Sequence, residues 1–273
     1  MYFRCLSLAF FWAVTSFAAV PDDRRSPGYS AYERANSLFV AGKFQESLQS
    51  VEEALRLNPR LAPALTLKAK LAMAVRNYSV ARHALLLAVE AAPESWYARF
   101  LLGFTYYLQN ELHPALPELE RAARLNPKES KPLLYLGLTH ESLGNSAKAV
   151  EYYRSAIRAE EASGTLEAET LLTAARLLLL MDQLEECGKL VGRAVKLAPA
   201  YRDGHYERAR LLLKQGRFAE AAQAGEKALA LAAAGASDGQ VRYLLVRAYG
   251  MMGDERRAAG HAAALRREAE PQR

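Results

Sequence analysis

Pro59, Pro93 and Pro127 stand 34 residues apart, and Pro199 resumes the series after a gap of 72, two further intervals plus four residues. A fixed period of this length is the strongest constraint on the fold, because it asks one small supersecondary unit to recur along the chain. With these prolines at the thirty-second place, units begin at Gly28, Ala62, Trp96, Ser130, Ala168, Arg202 and Gly239. The register requires insertions near 164–167 and 236–238, both between units, where a connection tolerates added length.

Within the unit, three places are small. The eighth reads Ala35, Ala69, Gly103, Gly137, Ala175, Ala209 and Val246; the twentieth reads Ser47, Ala81, Ala115, Ala149, Cys187, Ala221 and Ala258; the twenty-seventh reads Ala54, Ala88, Ala122, Ala156, Ala194, Ala228 and Leu265. Side chains of this size let helix axes approach closely. Apolar residues make up 51% of the chain, Leu and Ala dominate them, and they recur at helical spacing, so the elements are predicted to be helices. Gly42, Gly144, Gly216 and Gly253 share the fifteenth place. Glycine there accepts a left-handed backbone, ends one helix and lets the next return antiparallel. Two short helices cannot bury their apolar sides alone, so neighbouring units must stack.

This pattern resembles the tetratricopeptide repeat (TPR), most clearly in the third unit, "WYARFLLGFTYYLQNELHPALPELERAARLNP", through Leu102, Gly103, Tyr106, Ala115, Leu119, Ala122 and Pro127. The resemblance covers about residues 28–270. It implies an all-α, right-handed solenoid of about seven helix-turn-helix repeats, whose first helices line a concave groove that holds an extended peptide or a partner's helix. Arg99 and Arg242 occupy fourth places where the family pattern is apolar. Gly225 and Ala262 leave the twenty-fourth place small, which predicts looser packing at the last two junctions.

Ahead of the repeats, Arg4 precedes an uncharged run from Cys5 to Pro21, followed by Asp22, Asp23, Arg24 and Arg25. This is the layout of a secretory signal peptide, expected over residues 1–18 with cleavage between Ala18 and Ala19. The run is shorter than the roughly 20 residues of a membrane span, and an uncleaved anchor is the alternative. The remaining domains are a linker at 19–27, the solenoid at 28–270 and a polar tail at 271–273. Loss of Arg4 leaves 35 basic against 30 acidic residues, a mild excess without a dense basic run, so nucleic acid is not an expected partner. Cys187 is then the single cysteine, which excludes an intramolecular disulfide.

Places 2, 5, 9 and 12 share one helix face by their spacing of three and four. In the first and third units that face carries Tyr32, Asn36 and Phe39, then Tyr97, Phe100, Phe104 and Tyr107. Exposed aromatics concentrate at binding hot spots; the same residues also suit packing between neighbouring helices, and both readings stand. At the ninth place Lys70, Arg176, Arg210 and Arg247 form a basic set. Guanidinium groups grip carboxylates bidentately, which would favour an acidic partner. The alternative is a solvated face on which nearby acids such as Glu169, Asp203 and Glu207 pair with the arginines.

His83, His113, His140, His205 and His261 lack ligand spacing, so no metal or cofactor is expected. His140 suits a packed side chain, and Cys187 a buried, inert thiol. No carboxylate pair is marked as general acid and base, and the repeats leave no stretch for a catalytic domain. The expectation is a non-catalytic interaction scaffold, exported to a periplasm or cell envelope, without a small-molecule substrate. A membrane-tethered accessory subunit of a secretion or enzyme complex is the alternative.

Overall fold

The computed structural model describes residues 26–232 and 235–269. The expected signal peptide and the tail at 271–273 lie outside that range. Among the described residues fourteen α-helices follow in chain order: α1 (Tyr29–Val40), α2 (Phe44–Leu57), α3 (Ala62–Ala74), α4 (Tyr78–Ala91), α5 (Trp96–Leu108), α6 (Leu112–Leu125), α7 (Ser130–Ser142), α8 (Ser146–Ser163), α9 (Ala168–Leu180), α10 (Leu184–Leu197), α11 (Arg202–Lys214), α12 (Phe218–Ala230), α13 (Asp238–Met251) and α14 (Glu255–Ala269). No strand occurs among the described residues. The chain divides into two compact units, one ending at Leu143 and one beginning at Gly144. In the first, α1–α2, α3–α4 and α5–α6 form hairpins that stack in order with α7 against α6; in the second, α8 packs on α9 and the hairpins α9–α10, α11–α12 and α13–α14 follow. The fold class is the one expected, all-α and built of helix-turn-helix repeats.

One backbone turn sets every pair. Gly42, Gly144, Gly216 and Gly253 have φ of 75°, 78°, 73° and 75°, and Arg76, Asn110 and Asp182 hold φ of 57°, 60° and 63° at the same place of the other three units. The turn closes with an N–H donated five residues back, as from Lys43 to Leu38 O at 2.9 Å, Asn77 to Ala72 O at 2.8 Å, Gln183 to Leu178 O at 2.9 Å and Asp254 to Tyr249 O at 3.0 Å. These are Schellman closures, which satisfy carbonyls otherwise orphaned at a helix end. The prolines mark the other connection: in Asn58–Pro59–Arg60–Leu61, Pro59 takes the second place of a turn closed by Leu61 N–H on Asn58 O at 3.1 Å.

The small places are the crossing points. In the first six repeats all eighteen are buried, whereas Val246, Ala258 and Leu265 of the last are half-buried, having no hairpin beyond them among the described residues. A methyl group on Gly103 would stand 2.7 Å from Leu119 Cγ and 3.1 Å from Ala115 O, so α5 and α6 meet there with no space to spare. Ser47 donates to Ala35 O at 2.8 Å, tying the twentieth place of one repeat to its eighth.

Three sequence expectations are corrected. Gly225 does not loosen its junction: Leu245 of α13 fills the space, its Cδ2 standing 2.8 Å from where a Cβ would lie. Arg99 and Arg242 keep their hairpins closed through ion pairs with Glu118 and Glu268, each at 2.8 Å. The first insertion is absorbed by an extra turn of α8 rather than a loop. Gly164 then ends that helix at φ 71°, and the buried Glu160 carboxylate accepts from Glu167 N–H at 3.1 Å and Thr170 Oγ1 at 2.8 Å, tying α8 to the start of α9.

Candidate partner-binding faces

In the first unit, the face of places 2, 5, 9 and 12 is aromatic because α5 begins "WYARFLLGFTYYL". Phe100 and Phe104 stack with centroids 6.0 Å apart, and Tyr135 of α7 closes over them at 5.8 and 4.5 Å. Only 3% and 6% of these two rings stays exposed. They are therefore core between α5 and α7, a correction to their place among groove residues. Tyr135, at a sixth place, was missed by the sequence reading; the three aromatic places of α5, the first helix of the preceding repeat, were the available signal.

Of the other residues expected on this face, Tyr32, Phe39, Lys70, Tyr97 and Tyr107 are half-buried and Asn36 is exposed. Tyr29 and Tyr32 pack at 5.5 Å, Tyr97 meets Phe100 at 6.4 Å, and Tyr107 meets Tyr135 edge-on at 5.6 Å. Lys70 Nζ lies 4.3 Å from the centre of the Phe39 ring, a cation–π contact. Burial pushes the Lys70 ammonium below its ordinary pKa. Burial, then the nearby Glu129 and Tyr32, raises Tyr97 to about 12. Tyr32 and Tyr107 are raised chiefly by burial too, the Ser142 hydroxyl partly opposing this at Tyr107. Such a surface offers flat apolar area, hydroxyl groups and one cation.

In the second unit, Arg176 and Arg210 take the paired alternative. Arg176 donates to Glu169 at 3.0 Å, Asp203 at 2.9 Å and Glu207 at 2.8 Å, and Arg210 reaches Glu207 at 2.7 Å. The side chains of Asp203 and Glu207 are each only 3% exposed. Burial would lower the Arg176 pKa, but the charges of Glu169 and Glu207 and their hydrogen bonds hold it above the ordinary arginine value. Tyr201 also donates to Glu169. The charge of Arg176 is already matched by three carboxylates of its own chain, and Arg210 shares one of them, so the expected continuous column of free arginines is corrected. Arg247 is exposed and has no ion-pair partner among the described residues.

Cys187 is buried, and burial, with Glu207 second, raises its thiol to about 11. His140 is packed, at 6% exposure. Among the described residues, no group of three or more His, Cys, Asp or Glu side chains is placed to hold a metal, and no helix is long and apolar enough to cross a membrane.

Hairpins with a common turn, a common set of small crossing places and no shared catalytic constellation define a repeat protein. The family model described as "Tetratricopeptide repeat" matches residues 66–129, 105–164 and 172–238, more than half of the chain. The chain belongs to the tetratricopeptide repeat family. It is similar to Anaphase-promoting complex subunit 3 of Schizosaccharomyces pombe, 22% identical over 172 residues, which is 63% of this chain and 25% of that protein. The chain thus spans a quarter of that relative's length. Among solved structures, a tetratricopeptide repeat protein from Parabacteroides merdae ATCC 43184 is 16% identical, with a TM-score of 0.64 over 90% of this chain and 94% of that one. YrrB, described as a TPR protein with an unusual peptide-binding site, is 17% identical, with a TM-score of 0.55 over 72% and 95%. Both likenesses concern the fold. Proteins of this family are generally non-catalytic scaffolds that bind protein or peptide partners.

Proposed function

We propose that the chain is a non-catalytic interaction scaffold that holds a peptide or helix of a partner protein against the aromatic face of its first unit. The observation that carries this reading is the set of half-buried Tyr32, Phe39, Lys70, Tyr97 and Tyr107 on the expected face, with Lys70 over the Phe39 ring and Tyr97 against the buried Phe100. Tyrosines that are already half-buried lose little side-chain freedom on binding, and a phenol hydroxyl can hydrogen-bond a partner. The peptide-binding site named for YrrB is in keeping with it. The test is selection from a displayed random-peptide library on the full chain, followed by titration of a selected peptide. The variant Tyr32→Ala/Lys70→Ala/Tyr97→Ala should weaken binding at least about tenfold, the effect of 1.4 kcal/mol. Unchanged affinity would assign the set to structure alone.

Export to a periplasm or envelope belongs to the same proposal and is supported by the layout of residues 1–25. Cell fractionation and sequencing of the mature N-terminus test it. A start near Ala19 fits export, an intact Met1 in a membrane fraction fits the tethered accessory subunit, and an intact Met1 in the cytosol rejects both.

A further inference from the structure

Lys70 is a half-buried cation set against an aromatic ring rather than an anion. Its Nζ lies 4.3 Å from the centre of the Phe39 ring, and no ion pair or hydrogen bond reaches the ammonium among the described residues. The half-buried arginines of the first unit are treated otherwise: Arg82, Arg99 and Arg121 meet Glu111, Glu118 and Glu94 at 2.7, 2.8 and 2.7 Å.

The helices around Lys70 supply no acid to it. Its own helix, α3, reads "APALTLKAKLAMA", and α5 reads "WYARFLLGFTYYL". In α1 the single acid is Glu33, at a sixth place, whereas Phe39 and Lys70 hold the twelfth and ninth places of the shared face. Burial alone displaces the Lys70 pKa downward, with no carboxylate opposing it; a nearby carboxylate would hold the ammonium charged. A ring face returns part of the hydration that such an ammonium loses. A carboxylate would return more, because the pair would form where water is partly excluded. Rings also flank Lys70: α3 stands between α1, with Tyr32 and Phe39, and α5, with Tyr97, in the order in which the hairpins stack.

We infer that the segment held by this face carries an aspartate or glutamate side chain for Lys70, within a run of apolar residues that lie on Tyr32 and Phe39 to one side and on Tyr97 to the other. The inference rests on the scaffold reading above and names the chemistry of its partner. A chain-terminal carboxylate is a poorer fit, because a segment ending at Lys70 would reach the rings of one side alone. A phosphate asks for more donors than one ammonium supplies.

The test starts from peptides selected on the full chain that lose binding to Tyr97→Ala. Their aligned sequences should share an acidic residue at one position, with apolar neighbours on both sides. One such peptide and its amide counterpart, Asn for Asp or Gln for Glu, are then titrated with the unaltered chain and with Lys70→Met, which keeps an apolar stem. Amide replacement should weaken binding to the unaltered chain at least about tenfold, or 1.4 kcal/mol, and binding to Lys70→Met by less than about twofold. Lys70→Glu should prefer the same peptide with lysine in place of its acid. Each comparison sets two peptides against one protein, so a loss of stability in a variant cancels. Face-dependent binders with no shared acid, binders whose essential carboxylate is their own C-terminus, or an amide effect of equal size on Lys70→Met overturn the inference and leave the scaffold reading in place. Absence of any binder overturns both.

Discussion

Arg76, Asn110 and Asp182 hold the backbone conformation that glycine supplies at the same place of four other repeats. A residue with a Cβ pays roughly 1–2 kcal/mol to stand there, less for Asn and Asp. Arg76→Gly should therefore stabilise the protein by about 1 kcal/mol, seen as a higher urea midpoint at unchanged slope. The converse holds at Gly103, where Leu119 leaves no room for a methyl group. Gly103→Ala should cost about 1–3 kcal/mol, the usual range for overpacking. The glycine turns were legible in the sequence because glycine announces a left-handed residue. The three other turns were legible only through register, since nothing in an arginine side chain signals positive φ.

At the scale of the element, α9 and α11 are joined by a buried ionic cluster rather than by apolar side chains alone. Removing Arg176 would leave Asp203 and Glu207 charged at 3% side-chain exposure. Arg176→Met is expected to destabilise the chain by about 3–5 kcal/mol, the range for breaking a buried pair from one side. Chemical denaturation measures this, and Arg176→Met/Asp203→Asn/Glu207→Gln should recover part of the loss. The helices α5 and α7 carry the opposite device, tyrosines that burial keeps neutral. Tyr97 titrates at about 12 when folded, against about 10 in an unfolded chain. Between those values the unfolded state binds fewer protons, so stability declines as pH rises from about 10 toward 12 and is fully present below 10. Melting temperature against pH, with tyrosinate absorbance alongside, follows this decline, and Tyr97→Phe should reduce its steepness. Which aromatics were buried and which half-buried could not be read from one sequence: places 5 and 9 name a face, but Tyr135, at a sixth place of the next repeat, decides that Phe100 and Phe104 are covered. The arginine row failed as a free column for a similar reason, since its acids come from the second and sixth places of two different helices.

For the molecule as a whole, period and small places predicted the helix starts almost to the residue: all seven first helices begin within one position of the expected unit start, α9 included once the register allows for its insertion. A repeat protein makes this possible because each unit solves the same packing problem, so errors in one are corrected by the others. Function is less legible for the same reason. Repetition fixes what the units share, whereas recognition lies in what differs among them, as with the aromatics of α5.

The half-buried crossing places of the last hairpin have a kinetic consequence. With Val246, Ala258 and Leu265 each open to water on one side, backbone amides of α13 and α14 should trade hydrogen for deuterium earliest, through partial detachment that leaves α9 to α12 protected. Mass spectrometry of quenched fragments would order the hairpins by opening free energy.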